Sequence, residues 1–210
     1  MIHYCRCERP LSVESDRLRR IVREHQIDYA IYDSIAFACD GPPEAAEVAS
    51  RYFRAVREIN CGSFHIAHVS KGEHSDQKPF GSAFWHNGAR STWFVQSAER
   101  AGEQHVLRLG FFNRKANLGP IQSPVSLIVR FSADRTEFQR AEITDTPDFE
   151  EKLTVRQKMI YLLRRGARTQ AEIASQINAK ADTVRKTINR AKEVFIELND
   201  GRIGLKGHAE

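Results

Sequence analysis

Apolar positions along the first 143 residues fall into two rhythms, short continuous runs and longer stretches spaced by three and four. Runs read as strands and spaced stretches as amphipathic helices, so the alternation predicts an α/β fold with a mostly parallel sheet covered by helices. Leu11–Gln26 reads as a helix, with Ser12 as a candidate N-cap and Leu18, Ile21 and Val22 on its apolar face. Ile27–Phe37 then contains a buried-strand run. Pro42 and Pro43 open a second helix, Glu44–Asn60, in which Ala45, Val48, Ala49, Tyr52, Phe53 and Val56 keep helical spacing. Phe64–Val69 is another strand, Ser70–Lys78 a polar loop and Ser82–Arg90 a short helix. Strands are expected at Thr92–Ser97, His105–Phe112, Val125–Phe131 and Thr136–Ile143.

The polar, turn-prone text of residues 144–153 predicts a linker, and a different unit over residues 154–207. Val155–Arg164 has the spacing of a helix. Thr169-Gln-Ala-Glu172 is a capping-box pattern that opens a second helix ending at Ile177, and Asn178–Ala181 is a short turn. Asp182–Glu193 follows as a third helix, and Asp200-Gly201 between Phe195–Leu198 and Arg202–Leu205 signals a hairpin. Three helices with a tight turn before the third, then a hairpin, match the winged helix-turn-helix pattern.

Composition excludes whole classes. With 41% hydrophobic and 28% charged residues in a chain of 210, a fibrous or wholly disordered protein is ruled out. No run of 18 apolar residues exists and the start, MIHYCRCERP, is charged, so a soluble, cytoplasmic protein without membrane association is expected. Four cysteines are too few for a disulfide scaffold, and reduced thiols are the default. Charge is unevenly placed: residues 151–210 hold 13 Lys and Arg against 7 Asp and Glu, a surplus of six, whereas residues 1–150 hold 19 against 20. A basic block of that kind meets nucleic acid or forms a solvated helical face. If the third helix is a recognition helix, Lys180, Thr183, Arg185, Lys186, Asn189 and Arg190 project away from Val184, Ile188 and Ala191 toward DNA, with Arg202 and Lys206 on the wing. Protein contact is the competing use of such a domain.

The strand IDYAIYDS ends in Asp33 and Ser34, and a carboxylate at that point of an open α/β sheet can hold a water of a magnesium ion beside a nucleotide. Capping of the next helix is the simpler role. The order IDYAIYDSIAFACDG, a helix, GSFHIAHVSK, KPFGSAFWHNGARSTWFV and LRLGFFNRKANLGP resembles the second half of the RecA-like ring ATPases, near the DnaB-like and RepA-like branch. That resemblance covers residues 11–143. It implies ATP and Mg²⁺ as cofactors, a hexameric ring, and a helicase or loader acting on DNA in replication. Asp33 then resembles the Walker B aspartate and metal ligand, with Ser34 beside it. His68, Ser70 and Lys71 end the next strand, where the family senses the terminal phosphate; a core histidine is the alternative for His68. Lys71 and Lys78 fall where the family's loops face DNA, or simply face solvent. Arg114 and Lys115 are similar to cations inserted into the neighbouring subunit's site, where they offset charge on the transferred phosphoryl group; a cationic surface turn is the alternative.

No G-x-x-x-x-G-K-[ST] stretch exists in the 210 residues. The chain is therefore expected to be the C-terminal part of a longer ATPase, or a genuine short protein that kept the scaffold, and to be inactive by itself. A non-catalytic module that binds DNA or a partner through the winged helix is the alternative function.

Overall fold

Helix α1 runs from Leu11 to Glu24, and the residue at its N-cap is Pro10, so Ser12 lies inside the first turn instead of capping it. Proline suits a helix start because its missing N–H would have had no partner there. At the other end Gln26 takes φ +51°, and the N–H groups of Gln26 and Ile27 return to the carbonyls of Arg23 and Val22 at 3.3 and 2.9 Å. That pair of reversed bonds closes the last turn. Helix α2 is the single turn Ile35–Ala38, and α3 spans Ala46–Ile59, ending at Asn60 with φ +59°.

The computed structural model describes residues 1–69, 78–98 and 103–207. Two units divide it, residues 1–94 with 114–120, and residues 95–113 with 121 onward. In the first, α1 packs on α3, and Leu11, Leu18, Val48, Ala49, Tyr52, Ala55, Ile59 and Trp85 form its core. Trp85 belongs to α4, Ala83–Gly88, where Ser82 is the N-cap and accepts from the Phe84 N–H. The Trp85 indole donates to the Pro43 carbonyl at 2.7 Å, as does the Ser82 N–H at 2.9 Å. Gly81, just before Ser82, sits at φ +103° with Pro43 backbone where a Cβ would go, so only glycine fits.

Strands β1, Tyr29–Asp33, and β2, Gly62–Ile66, pair in parallel, Ile31 opposite Phe64 and Asp33 opposite Ile66. Ala30, Tyr32, Ser63 and His65 are half-buried, whereas Tyr29, Ile31 and Phe64 on the opposite face are 58%, 70% and 51% exposed. The run predicted as a buried strand is thus covered on one face only.

A mostly parallel sheet is not what forms. β3 (Ser91–Ala98), β4 (Val106–Ala116), β5 (Val125–Phe131) and β6 (Thr136–Ala141) make a four-stranded sheet in sequence order, and β4–β5 and β5–β6 are antiparallel. The reason lies in the connections: eight residues join β4 to β5 and four join β5 to β6, too few for the helical crossover that parallel neighbours need. Residues expected to link two units carry structure of their own, a 3-10 turn at Ile143–Asp145 and helix α5 at Pro147–Glu151. Phe149 of α5 is fully buried, edge-on to Phe112 of β4 with ring centroids 6.3 Å apart.

The C-terminal helices are α6 (Val155–Leu163), α7 (Gln170–Gln176) and α8 (Ala181–Arg190), followed by β7 (Phe195–Glu197) and β8 (Ile203–Leu205). Thr154 with Gln157 and Thr169 with Glu172 both form complete capping boxes, which satisfy N–H groups that a helix start leaves unpaired. Met159, Leu163, Ile173, Val184, Ala191, Phe195 and Ile203 form the core of this part. Arg168 adds a two-bond bridge to Ile203, so the hairpin is extended by the connection between α6 and α7.

Candidate nucleic-acid interface

The turn between α7 and α8 decides where the third helix points. Asn178 takes φ +51°, its N–H returns to Ser175 O at 3.3 Å, and the Ala179 N–H returns to Ala174 O at 2.9 Å. Asparagine is the usual substitute for glycine at this left-handed position. Helix α8 then buries Val184 completely, with Ile188 and Ala191 against the same core. By the helical repeat, Arg185, Lys186, Asn189 and Arg190 must lie on the solvent side. Arg185, Lys186 and Arg190 are exposed, as is Lys180 at the N-cap, and Asn189 is open to solvent as well. Thr183 is half-buried at the edge of that face, and its carbonyl accepts from the Thr187 hydroxyl at 2.8 Å.

Residues 151–194 match the family model for Sigma-70, region 4. The match runs from the end of α5 through α8 and stops before β7. No curated protein matches the chain. The protein is therefore mixed α/β with a C-terminal helix-turn-helix domain of a DNA-binding type.

The cations of this face are not all loose. Asp182, in the first turn of α8, holds Lys186 at 2.7 Å and Arg185 at 2.8 Å, and these two partners, Lys186 first, keep its carboxyl below the usual carboxylate range. On the wing, Arg202 is bound to Asp200 through its Nη2 at 2.6 Å and Nε at 2.7 Å. Lys206 is exposed and its backbone N–H returns to Val194 O at 2.8 Å. Counting cations along the sequence does not show that Asp182 and Asp200 restrain them. Their spacing of three, four and two residues from basic partners is the signal that marks them.

The residues that carried the ATPase resemblance behave differently. Asp33 ends β1 on its exposed side, and Ser34, with a buried hydroxyl, stands at the N-cap of α2 without making a cap bond. His68 lies two residues beyond β2, exposed, with its carbonyl accepting from the Phe80 N–H at 2.8 Å. It is not the core histidine. Ser70 and Lys71 lie outside the described residues, and Lys78 is exposed. Arg114 and Lys115 do not follow a strand end, because β4 continues to Ala116. Arg114 places its guanidinium over the Phe94 ring at 5.9 Å, and Lys115 donates to the carbonyls of His86 and Asn87, at 3.0 and 2.7 Å, capping α4 within its own chain. Among the described residues Asp33 is the one carboxylate of this set and is exposed, and with no phosphate-cradling loop in the 210 residues the set does not fit Mg-ATP.

His65, which no sequence motif singles out, is built into the first unit. Tyr52 Oη lies 2.7 Å from its Nδ1, Ser63 Oγ lies 2.9 Å from its Nε2, and the Tyr32 ring stacks on it at 4.9 Å. Burial pulls its pKa down to about 4, so the folded ring stays neutral where the unfolded one, near 6.5, takes a proton. The cost of keeping this ring neutral is absent above pH 6.5 and grows as pH falls toward 4, to on the order of 2 kcal/mol after discounting for partial solvent access. Denaturant midpoints measured from pH 7 to 4 should show this cost as a decline, and His65→Gln should remove it.

Proposed function

We propose that the chain binds duplex DNA through its C-terminal unit, with α8 as the recognition helix. The carrying observation is the outward row Lys180, Arg185, Lys186, Asn189 and Arg190 on a helix whose opposite side is locked into a core, in the segment that matches Sigma-70, region 4. Cations in such a row meet phosphates and fix the helix on the duplex, and Asn189 and Arg185 have the donors that base edges accept. The hairpin places Arg202 and Lys206 next to this surface in sequence and supplies further positive charge.

Fluorescence anisotropy of the full chain on labelled duplex DNA tests the proposal. Binding should fall steeply and linearly on a log-log plot against salt. Absence of binding at low salt rejects DNA as the partner and leaves the basic row as a solvated face. The Asp182 pairing gives a second outcome with a defined sign. Phosphates have to displace Asp182 from Arg185 and Lys186, so Asp182→Asn should bind unrelated DNA several-fold more tightly. Unchanged or weaker binding shows that Asp182 does not restrain these cations.

A further inference from the structure

The arm before α1 lies back along that helix and is held at three levels. His3 packs on His25 with ring centroids 4.4 Å apart, Arg9 Nε donates to Glu14 at 3.0 Å, and between them Cys5 and Cys7 both sit on Arg17. Arg17 Nη1 donates to Cys5 Sγ at 3.4 Å and Nη2 to Cys7 Sγ at 3.8 Å. The fork itself is fixed, because Arg17 Nε is bonded to Glu14, whose side chain is only 4% exposed. The two thiols are therefore presented side by side on one rigid cation. Cys39 and Cys61 belong elsewhere: Cys39 donates to the carbonyls of Ala36 and Gly41, and Cys61 packs at the core of α1 and α3.

We propose that Cys5 and Cys7 form a two-coordinate site for a soft monovalent cation, copper(I) in its chemistry, with Arg17 as the counter-charge. Among the described residues no three metal-ligating side chains gather, which excludes the four-ligand sites of zinc and the oxygen cages of calcium or magnesium there. Two thiolates suffice for a soft d¹⁰ monovalent ion. Binding releases two protons, one from each thiol, and forms two sulphur–metal bonds, leaving a complex of net charge −1. Arg9, Arg17 and Glu14 carry one positive charge in excess, which this anion cancels.

The test is an anaerobic titration of the full chain with copper(I) under reductant, in competition with a chromogenic copper(I) chelator. Wild type should hold one equivalent, Cys5→Ser and Cys7→Ser should each weaken affinity by at least roughly 100-fold, and Cys39→Ser with Cys61→Ser should leave it unchanged. X-ray absorption should show two sulphur neighbours. Equal retention of copper by the Cys5→Ser/Cys7→Ser double variant, or a weakening that follows Cys39 and Cys61, overturns the proposal. Circular dichroism of each variant separates a failure of ligation from a failure to fold, since these cysteines lie in an exposed arm outside the helix core.

Discussion

Replacing Arg185, Lys186 and Arg190 together with alanine is expected to cut the salt slope of DNA binding by about 2.7, at roughly 0.9 for each phosphate that is no longer neutralised. At low salt that is a fall in affinity of several orders of magnitude. The three side chains are exposed and none contributes to the core, so the helix and the hairpin should survive. Removing Arg185 and Lys186 also releases Asp182, whose uncompensated charge adds to the repulsion of phosphate. A slope unchanged in the triple variant, with affinity intact, places the DNA-binding surface elsewhere on the chain.

The second large effect comes from the buried side of the same helix. Val184 is wholly buried in the core that includes Met159, Leu163 and Ile173. A carboxylate placed there finds no partner, and an unpaired buried charge costs about 3–5 kcal/mol, a large part of what holds a domain of this size folded. Val184→Asp should therefore abolish DNA binding at every salt concentration and lower helical circular dichroism. Val184→Ala, which leaves a small cavity instead, should bind with nearly normal affinity and a lower melting temperature. Equal binding by Val184→Asp and wild type contradicts the role of α8 as a packed recognition helix.

The C-terminal unit was legible because its signals are local. Thr169 and Glu172 sit three apart, Val184, Ile188 and Ala191 keep helical spacing, and Asp200-Gly201 punctuates the hairpin; each needs only neighbouring residues to take effect. The sheet was less legible. Short apolar runs do not state whether their neighbours run parallel, and the deciding fact, the shortness of the connections after β4 and β5, is masked by the alternation with helices earlier in the chain. In β1 and β2 the inference that apolar side chains turn inward fails: His65 and Ser63 take the helix side because Tyr52 offers a hydroxyl there, and Ile31 and Phe64 are left outside. Arg114 and Lys115 look available for a neighbouring subunit only if β4 ends at Phe112. Once the strand continues to Ala116, α4 lies within reach and its last carbonyls claim Lys115.

A pair of parallel strands with one bare apolar face has little to hold it, so in the first unit the helices carry the sheet. Helices α1 and α3 bury each other, and the β1–β2 ladder is fastened to them through Tyr32 and His65. Protection against amide hydrogen exchange should therefore be graded, with the slowest amides in the facing turns of α1 and α3 and the fastest ladder amides at Tyr29, where the ladder begins. Opening of the sheet is then a local event that leaves the helical pair standing.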